Sequence, residues 1–220
     1  MQNIEQQRNS LNKSISKMLS ICKSQLQKSI EAFVLHDSDL AEEVIRKESR
    51  VNALDIKIEE DCENYLALYN PVAVDLRLIM AILKINSEIE RIADHAYGIS
   101  KYVVDINKPI TPELLKSVEF DKMFRTLELM LEDISMAYEN KDVKIARKVF
   151  KKDKILDKIN LKSFSTLSNE IKKDTTIIDQ SFILLSVIKK LERTGDLVKN
   201  IAEEIIFYVD VEVLKHKKKV

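Results

Sequence analysis

The sequence predicts an all-α protein made of two similar three-helix bundles in tandem. The 220 residues include only 2 glycines and 3 prolines, and turns depend on both residue types, so long helices with few loops are expected. Apolar residues make up 45% and charged residues 33% of the chain, as in amphipathic helices with one buried face. The segment Glu90-Arg91-Ile92-Ala93-Asp94 recurs 102 positions later as Glu192-Arg193-Thr194-Gly195-Asp196, which indicates an internal duplication.

Six helices of about 30 residues each are predicted from caps, breakers and apolar spacing. The first three span about 4–35, 39–68 and 71–105, with Asp37 or Ser38 capping the second and Asn70-Pro71 starting the third. The last three span about 112–138, 142–171 and 175 to beyond 208, with Thr111-Pro112 starting the fourth. The Pro-rich segment 108–112 is the expected boundary, so residues 1–107 form the first repeat and residues 108–220 form the second.

The third helix carries apolar residues at alternating spacings of three and four, which is typical of a seam that packs against other helices. The seam residues are Ile82, Ile85, Ile89, Ile92, Ala96, Ile99 and Val103. Adding 102 gives the corresponding positions of the sixth helix, which are Leu184, Val187, Leu191, Thr194, Val198, Ile201 and Ile205. Six of these seven residues are apolar, so the duplication extends well beyond the acid motif.

Composition and motifs exclude several functional classes. Lys+Arg and Asp+Glu both number 36, which argues against a nucleic-acid binder. Two glycines cannot form a Walker A loop or a Gly-x-Gly-x-x-Gly loop, and none of the 3 histidines has the Glu-x-x-His spacing of di-iron bundles. We therefore expect a protein that is not an enzyme.

The compartment follows from the cysteines and from the N-terminal residues. Cys22 and Cys62 are isolated and are expected to be small core residues of a reduced protein. The N-terminal residues lack a basic stretch followed by an apolar run, so no signal peptide is expected. The most apolar segment, 76–85, contains Lys84 and is too short to span a bilayer. A cytoplasmic location is expected.

Acid pairs recur on neighbouring helices of each repeat. The second helix holds Glu48 and Asn52, and the fifth helix holds Asp153 and Asp157 at an offset of 105. In an antiparallel hairpin these pairs lie as far from the turn as the acids of the third and sixth helices, so each repeat should bring four polar side chains to one height on its outer face. The first quartet is Glu48, Asn52, Glu90 and Asp94, and the second quartet is Asp153, Asp157, Glu192 and Asp196.

Clustered carboxylates repel one another and suit hard or borderline cations, so these eight residues are candidate metal ligands. The second quartet is the stronger candidate because Asn52 replaces a carboxylate in the first. The alternative is neutralisation by nearby basic residues, namely Arg91, Arg193, Lys152 and Lys154. His95 is expected to be a surface or interface residue, and Gly195 indicates either a close backbone approach or a ligand.

The segments Asn70–Arg77 and Glu90–Ala96 closely resemble the PhoU family of phosphate-uptake regulators. The resemblance implies a cytoplasmic, non-enzymatic negative regulator of phosphate uptake and of the phosphate-starvation response. It implies an adaptor between the ATPase of a high-affinity phosphate ABC transporter and a sensor histidine kinase, which reaches the membrane only through these partners. It also implies a homodimer.

The resemblance further implies iron, zinc or another divalent metal on the acid motifs. Carried over by position, the ligands would be Glu48, Glu90 and Asp94 in the first repeat, and Asp153, Asp157, Glu192 and Asp196 in the second. Two alternatives remain open at this point. One is a metal-binding helical bundle with a sensing or storage role, and the other is a helical adaptor with no link to phosphate.

Overall fold

The structure is a computed structural model that describes residues 2–72, 74–106 and 108–217, with side chains placed for 4–72, 74–106 and 108–210. All regular structure in these ranges is helical, as predicted. The first three helices are α1 (Gln2–Leu35), α2 (Ser38–Tyr69) and α3 (Val74–Asp105). The remainder are α4 (Pro112–Ser117), α5 (Phe120–Asn140), α6 (Val143–Ala146), α7 (Val149–Lys173) and α8 (Ile178–Lys217), with a 3₁₀ turn over Thr175–Ile177 before α8.

The helices pack as two three-helix bundles that share a central contact. α1, α2 and α3 pack against one another, and α5, α7 and α8 do the same. α3 lies against α8 between the bundles, so the two helices that carry the Glu-Arg-x-x-Asp motif form the middle of the molecule. All fourteen predicted seam residues of α3 and α8 are buried. Cys22 and Cys62 are also buried and free, as predicted.

The turn that precedes the second helix of the first bundle has the same geometry as the corresponding turn of the second bundle. Asp37 accepts a hydrogen bond from the Leu40 backbone and caps α2, and 105 positions later Asp142 caps α6 through the Lys144 and Ile145 backbones. The preceding residues, His36 and Lys141, both have φ of 53°. The offset between the acid pairs of the second and fifth predicted helices is therefore a structural offset as well.

The predicted fourth and fifth helices are each interrupted, which corrects the expectation of six unbroken rods. The fourth breaks after Ser117 because Glu119 adopts a left-handed conformation with φ of 55°. This turn lets its neighbours Val118 and Phe120 both reach the core, where they are buried. The fifth is divided at 147–148 into α6 and α7.

Asn70 plays a different role from the predicted one. It lies in the left-handed region, with φ of 41° and ψ of 59°, and it ends α2. Asparagine tolerates this conformation better than most residues and is used at helix C-termini for that reason. α3 begins only at Val74, so Pro71 lies in the connection and does not open the helix.

Polar contacts fix the antiparallel pairing of α3 with α8. The Lys84 ammonium donates to Glu204 at 2.8 Å, and Asn200 donates to Glu88 at 3.3 Å.

Among the residues that the structure describes, no helix is both long enough and apolar enough to cross a membrane.

Candidate site on the paired acid motifs

The structure brings the second quartet together around a lysine. Asp153 of α7 is only 4% exposed, and its Oδ2 lies 2.9 Å from the Lys199 Nζ of α8. The same ammonium lies 2.5 Å from Asp196 Oδ1. Partial burial alone would lower the pKa of Lys199, but its hydrogen bonds to Asp196 and Asp153 outweigh this effect and raise the pKa. Lys199 therefore remains charged and neutralises part of the quartet.

The other two carboxylates of this quartet lack such a cation. Desolvation, followed by repulsion from Asp196, raises the pKa of Glu192, although a hydrogen bond from Asn160 opposes the rise. Desolvation and then repulsion from Asp153 raise the pKa of Asp157. Smaller contributions cross between the two helices, from Asp157 to Glu192 and from Asp196 to Asp157, so the acids of α7 and α8 influence one another.

Gly195 lets the two helices approach at this point. A Cβ built on Gly195 would overlap Cδ1 of the buried Leu156 and would lie 3.3 Å from Asp153 Oδ1. The contact places the acid motif of α8 level with the first acid of α7. The glycine inside the motif is thus explained by a close approach of helices, one of the two predicted alternatives.

The first quartet has similar crowding but a different environment. Desolvation raises the pKa of Glu90, and Asp94, Asp55 and Glu48 add repulsion in that order. Asn52 donates a long hydrogen bond of 3.5 Å to Glu48. Lys199 has no equivalent here, because the position 102 residues earlier is Tyr97. The basic residue that acts on Glu90 is Arg91, whose charge has a smaller effect on the pKa than the repulsion from the three acids.

His95 lies at the contact between the two repeats. Its Nδ1 is 2.9 Å from Thr194 Oγ1, whose single proton is donated to the Lys190 carbonyl at 2.7 Å. Thr194 must therefore accept from a protonated Nδ1, which leaves Nε2 unprotonated in the neutral ring. Desolvation, with Lys190, Arg91 and Arg193 nearby, lowers the pKa of His95 to about 4. This position agrees with the expectation of a surface or interface histidine.

The chemistry of the second quartet suits a cation, although the side chains are not arranged as a coordination shell. Asp153 Oδ1 is buried and accepts no hydrogen bond, and a carboxylate oxygen of this kind is a hard donor. However, among the residues with described side chains, no group of three or more His, Cys, Asp or Glu residues is placed to hold a metal ion. A bound cation would require Lys199 to move away from Asp153 and Asp196.

Lys199 makes the ion pairs of the second quartet and was not among the basic residues considered from the sequence. Two of the residues considered, Arg91 and Arg193, oppose the rise in the pKa of Glu90 and Glu192 through their charge. Lys152 forms an ion pair with Asp133 at 2.5 Å, and Arg91 forms one with Glu88 at 3.2 Å. Both of these acids lie outside the two quartets. Lys199 follows Asp196 by three positions, a spacing that places the two side chains on one helix face, and that spacing could have identified it. Asp55 follows Glu48 and Asn52 in the polar stripe of the second predicted helix but was not among the candidate ligands; it accepts from Asn86 at 2.6 Å next to the first quartet.

Comparison with known proteins places this geometry in a family. The model of the PhoU domain matches residues 15–103 and 120–205, one copy for each bundle. The chain is 33% identical over 199 residues to the phosphate-specific transport system accessory protein PhoU of Serratia marcescens, covering 90% of this chain and 81% of that protein. It is 31% identical over 207 residues to the PhoU of Escherichia coli strain K12, covering 94% and 85% of the two chains.

Solved structures agree with the architecture. The crystal structure of PhoU from Pseudomonas aeruginosa superposes with a TM-score of 0.84 at 25% identity, covering 94% of this chain and 98% of that one. The phosphate transport system regulatory protein PhoU from Streptococcus pneumoniae superposes with a TM-score of 0.81 at 25% identity, covering 93% and 96%. With both bundles matched and the acid motif present in each, the chain belongs to the PhoU family.

Proposed function

We propose that this chain is an accessory protein of phosphate transport that negatively regulates phosphate uptake and the phosphate-starvation response. The observation that carries the proposal is the pair of PhoU domains, each containing one Glu-Arg-x-x-Asp motif on the helix at the centre of the molecule. Relatives matched over about nine-tenths of this chain are named as accessory proteins of phosphate-specific transport. Their names describe an accessory role and no catalytic activity.

The finer proposal is an adaptor that acts in the cytoplasm through protein contacts. One partner is the ATPase subunit of a phosphate ABC transporter, and the other is a sensor histidine kinase. Two bundles of the same fold with different outer faces support an adaptor, because each bundle offers its own surface. The second repeat has Lys199 among its acids, whereas the first has Tyr97 at the equivalent position.

Binding of the purified chain to each purified partner tests the adaptor directly. Biolayer interferometry should detect both the ATPase subunit and the kinase, and the two should bind in one ternary complex. Two variants test whether the acid face makes the contact. Asp94→Asn on the exposed acid face should weaken binding, whereas the control Lys13→Gln, at an exposed position of α1, should not. A folded chain that binds neither partner would refute the adaptor.

The alternative proposal is that the acid quartets bind iron, zinc or another divalent metal, in a sensing or storage role or as an accessory to regulation. The buried, unpartnered Asp153 Oδ1 favours it, as do the raised pKa values of Asp157 and Glu192. The residues that would hold the cation are Asp153, Asp157, Glu192 and Asp196 in the second repeat, and Glu48, Asn52, Glu90 and Asp94 in the first. A bound cation would supply positive charge to Asp157 and Glu192, which do not pair with Lys199, and to the carboxylates of the first repeat.

Calorimetric titration of the metal-free chain with Mn²⁺, Fe²⁺ and Zn²⁺ tests this alternative. Asp157→Asn in the second repeat and Glu90→Gln in the first should each remove the binding of their own quartet only. Binding that survives both substitutions, or no binding by the wild-type chain, would refute the assignment. If metal binds but its removal leaves partner binding intact, the metal is accessory to the adaptor role.

A further inference from the structure

A row of six lysines follows the outer face of the second repeat. The residues are Lys144, Lys148, Lys151, Lys154, Lys158 and Lys162, and all are exposed. Within α7, the spacings of three and four place Lys151, Lys154, Lys158 and Lys162 in an arc of about 80° along roughly 17 Å of helix. We call this row the lysine face. It follows residues 143–173, which comprise α6, α7 and the two residues between them and carry 10 basic and 3 acidic side chains.

The charges of the lysine face are largely free. None of the six lysines forms an ion pair within the part of the chain whose side chains are described. Lys162 and Lys158 act weakly on Glu119, whose pKa is lowered mainly by the hydrogen bond from Lys122 and to a smaller extent by these two lysines. Asp153 and Asp196 of the acid quartet in the same repeat pair with Lys199, which belongs to α8. Most of the positive charge of the lysine face can therefore interact with an anionic partner outside the chain.

The duplicated fold does not require this face. At the offset of 105, the equivalent residues of α2 are Asp39, Glu43, Arg46, Ser49, Ala53 and Lys57. Two acids and two bases give this equivalent face no net charge, although the two repeats share caps, turns and core positions. The lysine face is therefore a property of the second repeat alone, and the structural role of the helix does not explain it.

The chemistry of the face favours a lipid surface over a protein. All six positions are lysine, which is depleted in protein interfaces, whereas arginine and aromatic residues are enriched there. Lysine is a compact, mobile point charge, and clustered lysines are attracted to anionic lipid headgroups without defined geometry. Leu161 lies beside Lys158 and Lys162 and is 83% exposed, so it can enter the boundary between headgroups and acyl chains.

We propose that the lysine face docks the chain directly on the anionic phospholipids of a membrane, with Leu161 as a shallow apolar anchor. This contact adds to any contact made through protein partners and does not depend on the proposed function. The described helices do not cross the bilayer, so attachment would be peripheral and reversible. Each lysine near an anionic leaflet contributes roughly a fivefold gain in affinity, and the gain falls as salt screens the charges.

Cosedimentation with vesicles tests the proposal on the full-length chain. The probes are vesicles of phosphatidylcholine mixed with phosphatidylglycerol, and vesicles of phosphatidylcholine alone. The wild-type chain should bind only the anionic vesicles, and binding should weaken at least tenfold between about 0.05 M and 0.5 M salt. Equal binding to both vesicles, or no binding to the anionic ones, overturns the proposal; in the latter case an acidic protein surface becomes the better explanation of the lysine face.

Matched charge variants locate the contact. The triple variant Lys151→Gln, Lys154→Gln, Lys158→Gln should bind anionic vesicles at least tenfold more weakly. The control variant Lys13→Gln, Lys17→Gln, Lys101→Gln removes the same charge from other exposed positions and should bind like the wild type within about threefold. If both triples weaken binding equally, the lysine face is not the contact and the proposal fails. Thermal unfolding by circular dichroism establishes that both variants are folded.

A tryptophan reporter gives a second readout. The chain has no tryptophan, so Leu161→Trp introduces a single fluorophore beside the lysine face. Its emission should shift to shorter wavelength on anionic vesicles, whereas Leu68→Trp on α2, where Leu68 is 74% exposed, should not shift. A shift at both sites or at neither site contradicts the proposed orientation.

Discussion

At the residue scale, the two glycines illustrate different constraints that composition cannot separate. A Cβ on Gly195 would overlap the buried Leu156 of a neighbouring helix, whereas a Cβ on Gly98 would meet the Lys190 Nζ at 2.7 Å. Leu156 is fixed by the core, but the end of a lysine side chain can move. The sequence predicted a close approach as one explanation of Gly195, but the partner helix and residue required the structure.

Alanine substitutions at the two glycines should therefore have opposite effects. Alanine in place of helical glycine gains up to about 1 kcal/mol, and the overlap with Leu156 should outweigh this gain. We expect Gly195→Ala to lower the free energy of unfolding by about 1–3 kcal/mol, and Gly98→Ala to leave it unchanged or raise it by up to about 1 kcal/mol. Urea unfolding followed by circular dichroism measures both, and a stabilised Gly195→Ala would contradict the packing.

His95 should make stability depend on pH in a defined direction. Its pKa is lowered to about 4 in the folded chain from an ordinary value near 6.5, so the unfolded chain binds more protons between these values. Stability from neutral His95 is therefore present above about pH 6.5 and is lost as pH falls towards 4, by up to about 3 kcal/mol.

Comparison with His95→Gln isolates this contribution, because the raised pKa values of Glu90, Asp157 and Glu192 act in the opposite direction in both proteins. The free energy of unfolding of wild type minus that of the variant should decrease between pH 7 and pH 4.5. A difference that stays constant across this range would mean that His95 is not held neutral at the contact between repeats.

At the element scale, caps and apolar periodicity predicted the helices well, and local signals failed where tertiary packing decides. Asp37, Asp142 and Pro112 mark helix starts in the sequence, and each has that role in the structure. No glycine or proline in the sequence indicates the left-handed turn at Glu119. The turn is stabilised by the burial of Val118 and Phe120, which depends on tertiary packing. Asn70 is ambiguous from sequence alone, since asparagine suits both ends of a helix.

The contact between α7 and α8 should depend on Lys199. Lys199→Met leaves the buried Asp153 without the ammonium that lies 2.9 Å away, and an unpaired buried charge is costly. We expect a loss of about 2 kcal/mol in the free energy of unfolding at neutral pH. Lys189→Met, at an exposed position of the same helix, is the matched control and should change it by less than about 0.5 kcal/mol.

The same variant separates the two ways of neutralising the quartet. If carboxylates of the second quartet bind a cation, Mn²⁺ should raise the thermal midpoint of Lys199→Met more than that of the wild type, because no ammonium competes. Equal shifts in the two proteins would count against a metal at this quartet. Removal of Lys199 with no loss of stability would instead show that the ion pair contributes little.

At the scale of the whole molecule, the duplication was visible in the sequence because the motif and the seam recur at one offset. The structure adds that the two motif helices pack against each other and that the repeats differ in charge. Net charge of zero for the chain conceals this difference, because acids concentrate on α2 and lysines on α6 and α7. Sequence patterns within one helix could show each face, but its exposure and its freedom from ion pairs depend on the packed neighbours.

The measurement that tests the central claim most directly is expression of a phosphate-responsive reporter in a strain that lacks this chain. With phosphate plentiful, we predict that the reporter is switched on in the deletion strain and is switched off again by the wild-type chain supplied in trans. A reporter that stays off in the deletion strain under plentiful phosphate, with unchanged phosphate uptake, would contradict a role in phosphate regulation.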